Sequence, residues 1–243
     1  MTETLNPRQH LDLIQEMETS IYLIQEGVLA LNRLDGANDF SHLPLELLAQ
    51  GFERFIKLGL VLGLLEEEGA LPGRKRLKEM GGGRGHNVVA LLDELLALGE
   101  RTRYTCSSVA AQTDHAFMRR DPLLRAMFDV MSEFGEGGRY HALDGLLEPA
   151  REGNGDGPSD RFAAIESLVL EKHPEWQDGL GTSEFDTGYW PIAHSDMTYA
   201  LQRTARAISR YFTIGPCQAQ GKALTGTVSP FLFLHDRELH RPT

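Results

Sequence analysis

Apolar residues in the first third of the chain recur at alternating intervals of three and four, which is the pattern of one face of an α-helix. One such stripe covers positions 14–31 and a second covers positions 45–62. Their members are Ile14, Met17, Ile21, Ile24, Val28 and Leu31, and then Leu45, Leu48, Phe52, Phe55, Gly59 and Leu62. We therefore predict two long antiparallel helices that face each other in a common core.

Local signals set the predicted ends of these helices. Asn6, Pro7 and Gln9 form a helix-start signature in which Asn6 caps, Pro7 takes the first helical position and Gln9 completes a capping box. Asp35-Gly36 is predicted to end the first helix. Gly59 and Gly63 lie one turn apart on the second helix, where we expect a neighbouring helix to approach closely.

The rest of the chain predicts further helices and no strand-rich block, so the predicted fold is an all-α helical bundle with a less regular C-terminal part. Residues 1–135 would form the bundle core, and residues 136–243 a C-terminal helical extension on the same core, or one domain with it. We expect a loop over 69–85, a mobile excursion over 135–159 and an irregular stretch over 179–192. Ser195 or Asp196 would then start the last long helix, and the tail from Gln218 would form a short strand or a docked segment.

Charge and composition narrow the possible functions. The chain has 35 acidic and 24 basic residues, a net charge of -11, so no overall attraction to nucleic acid or anionic membranes is expected. The most apolar run, Phe55 to Leu65, has eleven residues, whereas a membrane span needs about 20. Two cysteines without a CxxC spacing, and the absence of HExxH, predict neither a metal site nor a cofactor. We predict a cytoplasmic protein.

Two groups of residues carry candidate chemistry. In the predicted loop, Arg74, Lys75, Arg76, Lys78 and Arg84 concentrate positive charge before the helix that His86 and Asn87 open, a position that favours anions. The glycine run at 81–85 lacks the preceding strand and the Lys-Ser/Thr of a phosphate-binding P-loop. On the second helix, Glu53 and Lys57 are one turn apart and are expected to form an ion pair.

The run GFERFIKL (residues 51–58) on the second helix and the run GHNVVALL (residues 85–92) at the start of the third resemble the HEPN superfamily. The similarity covers about residues 8–100 and implies a helical bundle that forms homodimers. It also implies metal-independent RNA cleavage, often in toxin or defence systems, by an Arg and a His that are separated by four to six residues. Here only one residue separates Arg84 from His86.

Three hypotheses follow. In the first, the chain is a non-catalytic HEPN-like module that dimerises and binds RNA, a nucleotide or a cognate protein partner through the region 74–87. In the second, it is a ribonuclease in which His86 acts as acid and base while Arg84 or Lys57, with Glu53 nearby, stabilises phosphate charge. In the third, it is a helical regulatory or scaffold protein without a small-molecule site.

Overall fold

A computed structural model of the protein describes residues 5–35, 40–83, 86–136, 158–179 and 181–240. Within these ranges the secondary structure is helical and no strand is present, which confirms the predicted all-α class. The helices in chain order are α1 (Pro7–Leu31), α2 (His42–Glu68), α3 (Arg74–Glu79), α4 (Val88–Arg101), α5 (Val109–Arg120), α6 (Pro122–Glu136), α7 (Pro158–Lys172), α8 (Ser183–Thr213), α9 (Gln218–Gly221) and α10 (Ser229–Leu232). Short 3-10 turns cover Tyr104–Cys106, Pro174–Gly179, Lys222–Leu224 and Asp236–Glu238.

The two predicted core helices pack on each other along their length and run antiparallel. Near one end of the pair, Gly27 of α1 meets Leu48 of α2, and farther along, Gly51 of α2 lies against Ile24 of α1. The predicted capping box starts α1, with the Asn6 side chain accepting from the Gln9 amide at 2.9 Å. The apolar stripes of α1 and α2 therefore face each other inside one chain.

Close helix packing at Gly59 and Gly63 is confirmed. A Cβ added at Gly63 would lie 2.2 Å from Leu98 Cδ2, and one at Gly59 would lie 3.0 Å from Leu95 Cδ1. Both leucines belong to α4, so the glycines allow α4 to lie directly against α2. Gly99 lies inside α4, and Tyr211 occupies the space that a side chain at this position would need.

The start of the last long helix is where the sequence-based expectation was wrong. Within the stretch 179–192, residues 183–192 are helical, because α8 begins at Ser183 and continues through Pro191 to Thr213. The Thr182 hydroxyl caps this helix by accepting from the Phe185 amide at 3.1 Å. Gly188 is a packing position rather than a break, since the indole of Trp176 lies where its Cβ would be.

Two other local expectations need correction. The predicted loop over 69–85 contains the short helix α3, formed by six consecutive residues that all favour helix between flanking glycines. The tail from Gln218 forms helical turns instead of a strand, and it is docked, with Val228, Phe231 and Leu239 buried. The expected excursion over 135–159 lies mostly outside the described residues.

One continuous apolar core includes residues from Leu5 to Phe231. The central part of α8 is deeply buried within it and contacts α2, α5 and α6. The helix α3 lies outside this core, on the surface of the bundle, because none of its residues is buried.

Candidate functional site

The carboxylate of Glu53 forms the centre of a small polar cluster on the surface of α2. Its Oε1 accepts from Lys57 Nζ at 2.7 Å, which confirms the predicted ion pair between successive turns. Its Oε2 lies 3.0 Å from His86 Nδ1. The structure thus brings His86 to the Glu53–Lys57 pair that the sequence predicted.

Two elements position this cluster. Glu53 and Lys57 project from one face of α2, while His86 immediately precedes α4. The Asn87 side chain caps α4 by accepting from the Ala90 amide at 2.8 Å, so Asn87 fixes the helix start beside His86. The other predicted member, Arg84, lies outside the described residues.

Exposure differs among the three members of the cluster. The side chains of Glu53 and Lys57 are 16% and 19% exposed, whereas that of His86 is 53% exposed. Lys57 pairs with Glu53, so part of its positive charge is neutralised before any ligand binds. The neutralisation is partial because Glu53 also contacts His86. The His86 ring, in contrast, is open to solvent on the side away from Glu53, where Nε2 has no partner among the described residues.

A groove of about 370 Å³ runs beside the cluster and is lined by both polar and apolar side chains. Leu58 and Val61 of α2 and Leu77 of α3 supply the apolar part. An ion pair between Arg54 Nη1 of α2 and Glu16 Oε1 of α1, at 2.7 Å, supplies the opposite polar border. The sequence did not predict this pair, because its partners are 38 positions apart and no local spacing connects them.

The short helix α3 carries the predicted cationic residues from 74 to 78, and its Leu77 lines the groove. Lys75 lies 3.8 Å from Glu79, a loose pair between exposed side chains. Arg74, Arg76 and Lys78 are exposed and have no acidic partner within the part of the chain that the structure describes. In a chain of net charge -11, these three unpaired cations form a local positive surface beside Leu77.

The described part of the glycine run after α3, residues 81–83, forms a turn. Gly81, Gly82 and Gly83 have φ values of 69°, 75° and 84°, the left-handed region that glycine adopts without strain. The Gly81 amide donates to Glu94 Oε1 of α4 at 3.0 Å, which ties this turn to α4. The run therefore connects α3 to α4 and holds the cationic helix against the bundle.

Other ionisable groups lie in structural positions. Asp114 of α5 is buried and pairs with Arg210 of α8. Burial lowers the pKa of His194 to about 4, although the charge of Asp35 acts in the opposite direction. Among the described residues, no group of three or more His, Cys, Asp or Glu side chains could hold a metal ion.

Comparison of the chain with protein-family models, curated proteins and solved structures finds no match. The similarity of the two runs to the HEPN superfamily accordingly stays a hypothesis. Over the described ranges, every helix is either too short or too polar to cross a bilayer.

Proposed function

We propose that the chain is a non-catalytic, HEPN-like helical module that binds a phosphate-bearing ligand through the cations of α3. RNA is the first ligand to test. The observation that carries this proposal is that Arg74, Arg76 and Lys78 are exposed and, over the described ranges, have no acidic partner in a strongly acidic chain. Arginine and lysine side chains bind phosphate oxygens with charge-assisted hydrogen bonds.

The ion pairs around the groove support a binding role over a catalytic one. A ribonuclease site needs cationic groups that are free to stabilise developing phosphate charge. Lys57 is already paired with Glu53 at 2.7 Å, and Arg54 with Glu16 at 2.7 Å. Among the described cations of α2 and α3, the ones without an acidic partner therefore lie on α3, and the groove offers an apolar surface at Leu58, Val61 and Leu77.

Fluorescence anisotropy with a short labelled RNA across a salt series tests the proposal. Each phosphate contact contributes about 0.7 to the slope of log K against log salt for single strands. We expect the triple variant Arg74→Gln/Arg76→Gln/Lys78→Gln to lower that slope by about 2 and to weaken binding. Competition with ATP distinguishes a nucleotide ligand from RNA.

The matched control removes the same charge from other surfaces. The variant Arg120→Gln/Lys222→Gln/Arg237→Gln changes three exposed cations away from α3, and we expect it to bind RNA like the wild type. Equal loss of binding in both triple variants, or no RNA or ATP binding by the wild type, would contradict the proposal. The second result would favour the regulatory or scaffold hypothesis.

One observation favours the ribonuclease as a second candidate. The 3.0 Å contact between Glu53 Oε2 and His86 Nδ1 orients the imidazole, and Nε2 has no partner among the described residues, as in a general base held by a carboxylate. An RNA cleavage assay with the wild type, His86→Ala and Glu53→Gln tests this candidate. Metal-independent cleavage that is lost in His86→Ala would establish it, and cleavage that persists in that variant would exclude His86 as the catalytic group.

We also propose that the module is a cytoplasmic homodimer. Because the stripes of α1 and α2 are already buried against each other, a dimer would need a different surface. Leu11 and Tyr22 of α1 are 65% and 63% exposed, and their spacing of eleven residues places them on one helix face. Light scattering after gel filtration should show a dimer for the wild type and a monomer for Leu11→Asp/Tyr22→Asp, whereas a monomeric wild type would contradict the proposal.

A further inference from the structure

A second pocket, of about 330 Å³, lies on the other side of α3, where this helix meets α2 and α4. Its floor is apolar and consists of Leu60, Leu64, Met80, Ala97 and Leu98. The pocket exists because Gly63 lets α4 lie directly against α2 while Met80, only 3% exposed, anchors the end of α3 above them. None of these residues lines the groove beside Glu53.

The charged rim of this pocket is largely satisfied by the protein itself. The guanidinium of Arg101 is held by the carboxylate of Glu67, with Nη2 to Oε2 at 3.0 Å. Glu94 Oε1 accepts from the Gly81 amide at 3.0 Å. These contacts hold the Arg101 and Glu94 side chains in place before any ligand binds. Less side-chain entropy is therefore lost on binding.

Arg76 is the exception on this rim. It lines the pocket, and within the described residues it has no acidic partner. Glu79, the remaining charged residue of the rim, faces the exposed ammonium of Lys75 at 3.8 Å. Arg76 is therefore the charged group of the rim without a partner from the described protein residues, and it borders an apolar floor. A complementary ligand would carry an anionic group attached to an apolar body.

We propose that this pocket binds a small amphipathic carboxylate, with the carboxylate on Arg76 and the apolar body on the floor formed by Leu60, Leu64 and Ala97. Glu79 and Glu94 border the same space and disfavour a second negative charge, so the ligand is a monoanion. This site goes beyond the proposed RNA-binding function, with which it shares only Arg76.

Isothermal titration calorimetry with octanoate as the probe tests the site, with octan-1-ol as the uncharged probe of equal length. The wild type should bind octanoate at least tenfold more tightly than the alcohol. Arg76→Gln should remove this difference, because the partner of the carboxylate is lost. Ala97→Phe should abolish the binding of both probes, because the new ring fills the pocket.

Matched variants separate this inference from the proposed function. Arg74→Gln/Lys78→Gln changes two cations of the same helix that do not line the pocket, and octanoate should bind it like the wild type. Ala97→Phe should keep its affinity for RNA. A wild type that binds octanoate but not RNA would therefore contradict only the function proposed for α3. A wild type that binds RNA but not octanoate would contradict only the proposal for the pocket.

Chemical shifts of leucine methyl groups provide a readout on the wild type that does not depend on any variant folding. Titration with octanoate should shift the methyl signals of Leu60, Leu64 and Leu98 and leave that of Leu5 unchanged. Equal affinity for octanoate and octan-1-ol, octanoate binding that survives Ala97→Phe, or the absence of shifts at the three floor leucines would each overturn the proposal.

Discussion

Two helices of this protein carry clusters of basic residues, and they use them in opposite ways. On α8, Arg206 donates to Asp236 at 2.8 Å and to the carbonyl of Leu234 at 2.9 Å, and Arg210 pairs with the buried Asp114. On α3, Arg74 and Arg76 have no acidic partner among the described residues. The two clusters look alike in composition and differ in what surrounds them.

The difference in pairing between α8 and α3 indicates which basic residues are available to bind a ligand. A guanidinium in the interior must be paired, because an unpaired buried charge costs several kcal/mol, so the arginines of α8 are committed to holding α5 and the C-terminal tail. Leaving an exposed cation unpaired costs little folding free energy, and α3 has no buried residue. The cations of α3 therefore remain available to a ligand. Substitutions on α8 should therefore affect stability, and those on α3 should affect binding.

The largest effect is expected from Asp114→Ala. This change leaves the partly buried guanidinium of Arg210 without its carboxylate and should lower the free energy of unfolding by about 4 kcal/mol. Urea unfolding followed by circular dichroism measures it. The control is Asp12→Ala, which breaks an exposed pair with Arg8 and should leave the midpoint unchanged. Equal effects in both variants would remove the distinction between buried and exposed pairs.

The pH dependence of stability sharpens the comparison within α8. The pKa of His194 is lowered to about 4 by burial, whereas an unfolded histidine titrates near about 6.5. Between these values the unfolded chain binds more protons than the folded one, so stability decreases as pH falls through this window, by up to about 3 kcal/mol at pH ~4. His194→Gln should lack this contribution, and urea unfolding of both proteins at several pH values checks the difference. Parallel pH profiles would refute it.

A smaller loss of stability is expected from Gly51→Ala, where α1 and α2 approach each other closely. A Cβ at Gly51 would lie 2.9 Å from the backbone nitrogen of Ile24, which cannot move independently of its helix. Gly51→Ala should therefore cost about 2 kcal/mol in thermal or urea unfolding. Gly73→Ala is the matched control, because Gly73 has nothing within 4 Å and should tolerate the methyl group.

The smallest effect on stability is expected on α3 itself. Arg74→Gln and Lys78→Gln should leave the free energy of unfolding within about 0.5 kcal/mol of the wild type, because both side chains are exposed and unpaired. The same variants should weaken RNA binding in the anisotropy assay. A stability loss comparable to that of Asp114→Ala would mean that the α3 cations are structural, and the contrast with α8 would disappear.

Local patterns predicted the parts of the fold that local interactions stabilise. The capping residues Asn6 and Gln9, the stripes of α1 and α2, and the Glu53–Lys57 pair all depend on spacings of three or four residues, which a helix converts directly into contacts. The start of α8 was not predicted. Gly188 and Pro191 lie inside this helix, where Trp176 packs against Gly188 and the Thr182 hydroxyl caps the first turn.

The candidate site was predicted in part. Glu53, Lys57, His86 and the basic run were identified as sequence features, but their relation in space depends on how α4 and α3 pack on α2. The Arg54–Glu16 pair and the second pocket had no sequence signal, because their members come from segments far apart in the chain.

The sequence by itself determined the helical class, the antiparallel pairing of the first two helices and the concentration of positive charge at 74–78, because periodicity and charge are local properties of a chain. The tertiary structure alone decided which cations are neutralised. Long-range packing brings Asp114 to Arg210 but, among the described residues, brings no carboxylate to Arg74. The presence or absence of a partner separates a structural charge from one that is free to bind a ligand.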